Sequence, residues 1–358
     1  MKVLFLVPYP IGEAASQRFR FEQYFKVMDE NNISYKVNSF MEPEIWSVIY
    51  RKGYLWVKLW GMIKGFAKRF FSLFNLRHYD YIFIHREAAP IGPPIMEWLI
   101  AKVFHKNIIF DFDDAIWVPN YSDSNKFFSF LKRYSDVSKV CSWAYKVSCG
   151  NNYLCNYALE YNNSVIYNPT TIDTINYHNR VKDYTSWSNN SFVMGWTGSH
   201  STIRYLKAII PVLEELEKEH AFEFHVISDI NPGYKLKSFV YKKWNKENEI
   251  DDLLSFHVGL MPLSDDTWAN GKCGFKALQY LALGIPALVS PIGVNSQIVK
   301  DGVNGFICRT PDEWKDKLNN LLLHREKLIE LSRNSRKKIE DSFSVVSNTE
   351  NFLNLFKP

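Results

Sequence analysis

GKCGFKALQYLALGIPALVSPIGVN, residues 271–295, is the stretch on which the reading of this chain turns. Gly271 and Gly274 make a flexible loop, about ten residues of helical pattern follow, and Gly284 stops the helix. PALVSP (286–291) is then a short buried strand, and Gly293 turns the chain again. A helix N-terminus behind such a loop offers N–H groups and positive potential to an anion. Lys272 and Lys276, four positions apart, can set two ammonium groups beside that anion. On spacing alone, an ordinary βαβ crossover with solvent-facing lysines fits equally well.

Outward from this stretch the same alternation recurs. FVMGWTG (192–198), FEFHVISD (222–229), VGLMPL (258–263) and NGFIC (304–308) read as strands. Thr202–Glu219, Ser296–Lys300 and a long charged region from Pro311 to about Asp341 read as helices. In the first half KVLFLVPY (2–9), YDYIFIHR (79–86) and NIIFDFDD (107–114) are apolar runs of the kind that parallel sheets bury on both faces. A weaker strand ends in SVIYNPTTID (164–173), and helical patterns lie at Ser16–Asn31 and about Pro94–His105. Two successive βα blocks predict an α/β chain of two doubly wound, Rossmann-like domains facing across a cleft. We place an N-terminal domain at 1–168, a polar linker at 169–190, a C-terminal domain at 191–342, and a segment 343–358 that packs back on the first domain.

Composition narrows the class. The 358 residues, 46% apolar and 16% aromatic, exclude a disordered chain, a collagen-like fibre and a small disulfide scaffold. No run approaches the roughly 18 apolar residues of a membrane span. The apolar part of MKVLFLVPYP is too short for a signal peptide and reads as a first strand. Five scattered cysteines without a CxxC pair predict reduced thiols and a cytoplasmic protein.

The net charge of +5 is local. Residues 45–79 hold seven Lys and Arg, no Asp or Glu, and ten aromatic residues, so the rest of the chain carries −2. On a helical wheel Lys58, Gly61, Lys64, Gly65, Lys68, Arg69, Ser72 and Asn75 share one arc of about 140°. Trp60, Phe66, Phe70 and their apolar neighbours fill the other side. A basic face opposite an aromatic one fits a helix lying in a membrane interface. We therefore expect Lys58, Trp60, Lys64, Phe66, Lys68 and Phe70 to face an anionic membrane surface; a surface helix packed on the first domain's sheet is the alternative. Nucleic acid is the poorer partner, because the aromatics lie on the apolar face and are not offered for stacking.

Further candidates lie at strand ends in the first half. DFDDA (111–115) matches a DxD metal pattern, but the anion-binding features lie in the other half. Asp113 or Asp114 facing the cleft, orienting an acceptor or sugar hydroxyls, is the better reading; helix capping is the alternative. His85 can contact an acceptor or be structural. Arg18, opening the first helix behind Gly12, can meet a phosphate or hydroxyl or lie on a solvated face.

These motifs together resemble retaining glycosyltransferase family 4, of GT-B fold. GWTGSHST (195–202), the MPL of VGLMPL, the 271–295 stretch and DGVNGF (301–306) look like its donor domain. QRFRFEQY (17–24), DFDDAIW (111–117) and GNNYL (150–154) look like the acceptor side of a bacterial surface-polysaccharide branch. The resemblance implies a nucleotide-sugar donor, UDP- or GDP-linked, as co-substrate, with no cofactor and no metal. It implies a glycan or lipid-linked acceptor, and the basic aromatic segment places the work at the inner face of the cytoplasmic membrane. It puts Lys272 and Lys276 near the donor phosphates and sugar as catalytic groups; Asp113, read above as a cleft-facing carboxylate, is the third catalytic candidate. Gly198, Ser199 and the Thr202 helix start fall at the diphosphate, and Gly293, Val294 and Asn295 beside the donor. The family's two glutamates, eight apart, are replaced here by Gly271 and Gln279; a Gln amide can still hydrogen-bond a ribose hydroxyl. A nucleotide-sugar epimerase of the same fold and a non-catalytic partner subunit are the alternatives.

Overall fold

The computed structural model describes residues 1–49, 51, 53–119, 133–185 and 191–357. The chain divides into two units, Met1–Thr170 with Thr349–Pro358, and Thr171–Asn348.

The first unit carries strands β1 (Lys2–Val7), β2 (Ser34–Ser39), β3 (Tyr81–His85), β4 (Asn107–Phe112), β5 (Lys146–Cys149) and β6 (Val165–Tyr167). They form one parallel sheet in the order β2-β1-β3-β4-β5-β6. Its helices are α1 (Ala15–Arg18), α2 (Phe25–Glu30), α3 (Pro43–Trp46), α4 (Leu55–Leu73), α5 (Ile95–Trp98), α6 (Val137–Trp143) and α7 (Asn152–Leu159). β1, β3 and β4 are buried almost throughout, as their unbroken apolar runs require.

The second unit carries β7 (Phe192–Thr197), β8 (Phe222–Ser228), β9 (Phe239–Lys243), β10 (Val258–Met261), β11 (Ala287–Val289) and β12 (Gly305–Ile307). These form a second parallel sheet in the order β12-β11-β10-β7-β8-β9. Its helices are α8 (Ile210–Glu219), α9 (Glu249–Leu254), α10 (Thr267–Asn270), α11 (Phe275–Ala282), α12 (Asn295–Ile298), α13 (Pro311–Leu323) and α14 (Lys327–Ser342). The core runs from Trp196 and Phe224 on the sheet to Leu213, Leu216, Leu318 and Leu321 on the covering helices. The α/β reading with two doubly wound sheets therefore holds.

Several particulars differ from the sequence reading: the helix expected at Ser16–Asn31 is broken into α1, a 3-10 turn Glu22–Tyr24 and α2, and α5 runs on into a π-helical turn, Leu99–Val103. The expected helix from Thr202 begins as a 3-10 segment, Ile203–Ala208, and α8 starts only at Ile210. Pro211 lies in its first turn, where the missing N–H is no loss. The charged region from Pro311 is two helices, broken between Leu323 and Lys327. The expected linker is not a free tether over its described part. Ile172 and Tyr184 are buried, and Tyr184 Oη donates to the His257 carbonyl at 2.7 Å. Arg336 donates to the carbonyls of Thr174 and His178 at 2.9 and 2.7 Å. Residues 186–190 of that stretch lie outside the described residues.

A last helix, α15 (Thr349–Leu353), and the turn Asn354–Phe356 belong to the first unit. Phe352 stacks on Tyr24 at 4.2 Å, and Phe356 packs near Phe5, Tyr81 and Phe83. All five cysteines are buried and free.

Candidate functional site

In the second unit, close packing of the sheet sets the position of α11. A side chain at Gly259 of β10 would meet the Tyr280 ring at 2.1 Å, so glycine makes room for Tyr280 to lie across the strand. Tyr280 Oη accepts the Thr197 N–H at 3.0 Å, tying α11 to the end of β7. Gly274, the N-cap of α11, has a φ of +69°, and a Cβ there would sit 2.2 Å from Ile298 Cδ1. Gly293, at φ +60°, lies against the carbonyls of Ala269, Asn270 and Lys272 at 3.1–3.2 Å from its would-be Cβ. Only glycine meets both demands, positive φ and no side chain. The 271–295 stretch is thus a folded-back loop, helix, strand and second loop, packed on itself.

Within it, the Lys276 ammonium lies 5.4 Å from the Trp196 ring centroid and the Lys272 ammonium 5.7 Å from that of Trp268. Gln279 and Asn295 are 2% and 1% exposed. Asn295 donates through Nδ2 to the Ser290 carbonyl at 3.0 Å, whereas its Oδ1 has no partner among the described residues. Gln279 Nε2 likewise has none. Buried polar atoms are nearly always paired, so such groups call for an explanation. Val294, beside Asn295, is buried and lies 3.0 Å from the would-be Cβ of Gly274.

The loop after β7 is more self-contained than the sequence implied. The Gly198 N–H donates to the Ile227 carbonyl at 3.0 Å, and the Thr202 N–H and Oγ1 both donate to the Ser199 carbonyl. Ser199 Oγ lies 2.8 Å from Ser201 Oγ. His200, not singled out from sequence, binds Asp229 twice at 2.6 Å, through its N–H and Nδ1. The Thr202 end is a 3-10 start, so the positive potential of an α-helix N-terminus lies elsewhere.

In the first unit the strand ends hold a buried network. Arg20 bonds Asp111, Ser148 Oγ and the Asn168 carbonyl; His85 Nδ1 lies 2.8 Å from Asp111 Oδ2. Ser148 Oγ donates to Asp111 Oδ1 at 2.6 Å. Burial works against the Asp111 charge, but Arg20 and then His85 outweigh it and hold the carboxyl well below the ordinary range. His85 is fully buried, and its Nε2 has no partner among the described residues. Arg20 and Asp111 were missed as a pair because 91 positions separate them.

Asp113 and Asp114 share one partner. Arg86 Nε donates to Asp113 Oδ1 at 2.8 Å, and its Nη2 to Asp114 Oδ2 at 2.6 Å. Burial opposes the Arg86 charge, and these two carboxylates more than offset it, raising its pKa. Arg86 itself sits at φ +61°, with its N–H donated to the Asp111 carbonyl at 2.7 Å. The pair is therefore a guanidinium–dicarboxylate cluster, not two lone acids. Arg18, half-buried at the end of α1, lies 5.0 Å from the Phe19 ring. The Gly12 loop beside it is closed by Glu22, which accepts the Gly12 N–H at 2.8 Å and the Gln17 amide at 3.0 Å.

The cationic aromatic segment forms α4, with its faces assigned differently from the wheel's implication. The arc of Gly61, Gly65, Arg69 and Ser72 is buried. A Cβ at Gly65 would lie 2.5 Å from Phe40, and one at Gly61 2.7 Å from Ile45. Arg69 donates to the carbonyls of Ala88, Asn38 and Val7 and to Asn38 Oδ1, all within 2.6–2.8 Å. Lys58 donates to the Arg51 carbonyl and Lys68 pairs with Glu42, both at 2.6 Å and both half-buried. Lys64, Trp60, Phe66 and Phe70 are exposed. The helix thus packs through its glycine–arginine face, and its aromatic face points outward.

Residues 241–338, about a quarter of the chain, match the family model "Glycosyl transferases group 1". The chain is 30% identical over 80 residues to spore coat protein SA of Bacillus subtilis (strain 168), covering 22% of this chain and 21% of that protein. It is 28% identical over 126 residues to the Dictyostelium discoideum GDP-Man:Man(3)GlcNAc(2)-PP-Dol alpha-1,2-mannosyltransferase, covering 32% and 25%. The matches thus span between a fifth and a quarter of those relatives' lengths. Among solved structures, sucrose-phosphate synthase from Thermosynechococcus elongatus superposes with a TM-score of 0.71 at 10% identity, over 99% of this chain and 98% of that one. Anabaena HepE in complex with UDP and glucose gives 0.66 at 13% identity, over 99% of each. The chain has the GT-B fold of these proteins.

Proposed function

We propose that this protein is a glycosyltransferase that moves a sugar from a nucleotide-sugar to a lipid-linked or growing glycan in the assembly of a bacterial surface polysaccharide. The observation that carries this reading is that the buried Gln279 Nε2 and Asn295 Oδ1 each have no partner among the described residues. Both lie in the glycine–lysine stretch, inside the residues that match the glycosyl transferase model. A donor and an acceptor held dry and unpaired suit the hydroxyls and polar edges of a nucleotide-sugar. UDP bound in HepE, and a GDP-mannose donor with a dolichol-linked acceptor in the Dictyostelium relative, support the donor and acceptor classes.

Lys272 and Lys276 stabilise the leaving diphosphate where its charge develops, which is where electrostatic catalysis acts. In this reading Gly198, Ser199 and Thr202 border the diphosphate, and Gly293 and Val294 shape the wall beside the donor. Asp113, Asp114, His85 and Arg18 serve the acceptor side, the two carboxylates acting with Arg86. Following the resemblance, the reaction retains the anomeric configuration and uses no metal. The donor phosphate takes the acceptor proton, since no stronger base stands out. The protein works at the inner face of the cytoplasmic membrane, where lipid-linked acceptors are presented.

The test is thermal: UDP, GDP, CMP and TDP are each added to the full chain. One of them is expected to raise Tm, by about 2–3 kcal/mol of stabilisation at a hundredfold excess over Kd. Lys276→Ala should then lower transfer about 10²–10³-fold, as loss of one charge-stabilising group does elsewhere. A panel in which no nucleotide shifts Tm sinks the reading.

A further inference from the structure

We propose that α4 and α5 together form a two-helix platform that seats the protein on an anionic lipid bilayer. This deepens the membrane location given above and rests on it. The platform is built from outward-facing apolar side chains on two elements, not from one helix. On α4, Trp56, Trp60 and Phe71 are 79%, 58% and 64% exposed. On α5, Ile95 and Trp98 are 55% and 44% exposed, while Glu97 between them is buried. Single exposed apolar residues need no explanation, but large aromatics gathered on one face mark an interaction surface.

Topology makes the two helices neighbours. The step from β2 to β3 and the step from β3 to β4 run in the same direction across the order β2-β1-β3-β4. Parallel crossovers are right-handed, so the helices in both steps lie on one face of the sheet, opposite α1 and α2. A hydrogen-bond chain joins them: Arg69 of α4 donates to the Ala88 carbonyl at 2.6 Å, and the Ala88 N–H donates to the Glu97 carboxylate of α5 at 2.9 Å.

Charge selects the occupant. Residues 45–79 contain no acidic side chain, and of their basic ones Arg51, Lys64 and Arg77 are exposed, whereas Arg69 is buried and Lys68 is paired with Glu42. A second copy of this chain would set two such patches of like sign together, whereas anionic headgroups neutralise them. With its glycine–arginine face packed on the protein and its aromatic face outward, α4 would lie in the interface plane. Its 19 residues present an edge about 28 Å long.

The experiment is flotation of the full chain with vesicles of phosphatidylcholine alone and of phosphatidylcholine mixed with phosphatidylglycerol, at low and high salt. Wild type is expected to float only with the anionic vesicles, and less at high salt. Trp60→Ser/Phe71→Ser should abolish flotation, Lys64→Glu should weaken it by at least about fivefold, and Trp98→Ser should weaken it several-fold. All three variants change exposed side chains, and their far-UV dichroism and nucleotide-induced Tm shift should match wild type. Equal flotation of wild type and the double variant overturns the proposal, and an unchanged Trp98→Ser overturns the two-helix form of it. Failure to float, with a dimer that Trp60→Ser/Phe71→Ser disperses, overturns it in favour of a second copy. The Tm shift keeps the outcomes apart: flotation without nucleotide binding tells against the transferase reading, and nucleotide binding without flotation against the platform.

Discussion

His257 accepts the Val193 N–H through Nδ1 at 2.9 Å and lies against Phe192, with ring centroids 5.5 Å apart. Burial, then Lys182, Arg325 and His225, pull its pKa down to about 3 from the usual 6.5. The sign follows directly. Below about pH 6.5 the unfolded chain takes up a proton that the folded ring refuses, so stability falls as pH falls through that window toward 3. The expected loss is about 1 kcal/mol per pH unit between about pH 6 and 5, read by urea unfolding. His257→Phe should flatten that slope; a wild-type slope already flat there would refute the assignment. Local spacing made the loop, helix and strand that carry Lys272, Lys276 and Gln279 legible in the sequence. Arg20–Asp111 and Arg86–Asp113–Asp114 were not, because pairings across 91 and 27 or 28 positions leave no trace in local spacing.

At the scale of elements, sequence reading found the buried strands and also the half-covered edges β6 and β12, whose VIY and GFI are apolar. β2 and β9 are edge strands, SYKVNS alternating in cover along most of its length and FVYKK only partly covered throughout, and β5 is only KVSC. An apolar-run criterion passes over all three, because an edge or a short strand does not need two greasy faces. The amphipathy of α4 was legible, but its direction was not. A wheel shows two faces and says nothing about which one meets the protein; two glycines and one arginine decided that. Arg69 is the anchor: burial pulls its guanidinium down to about 9, with Glu97 opposing, and it serves four acceptors. Arg69→Lys keeps the charge and loses the fork, and three donors on a single nitrogen cannot serve all four acceptors. Such a change is expected to destabilise the first unit by about 2–4 kcal/mol in denaturant unfolding. Lys at wild-type stability would show that the fork geometry is irrelevant.

At the scale of the molecule, each unit closes its own sheet, and the first is completed by residues from the far end of the chain. Phe352 is fully buried on Tyr24, so Phe352→Ala should cost about 3–5 kcal/mol of packing in that unit. Native-state hydrogen exchange reads this as lost protection at Leu4–Leu6, with the amides of β7 and β8 as the internal reference. Unchanged protection at Leu4–Leu6 would mean that α15 is an ornament on a sheet already complete. The same arrangement constrains synthesis. Residues 171–348 emerge from the ribosome before α15 does, which at 5–20 residues per second takes roughly 10–35 s. Throughout that interval the nascent first unit holds Phe5, Tyr24, Tyr81 and Phe83 without the aromatic cover that Phe352 and Phe356 supply. All six strands of the first sheet have been made by Tyr167, yet that unit's aromatic cover is complete only after the whole of the second unit has been translated.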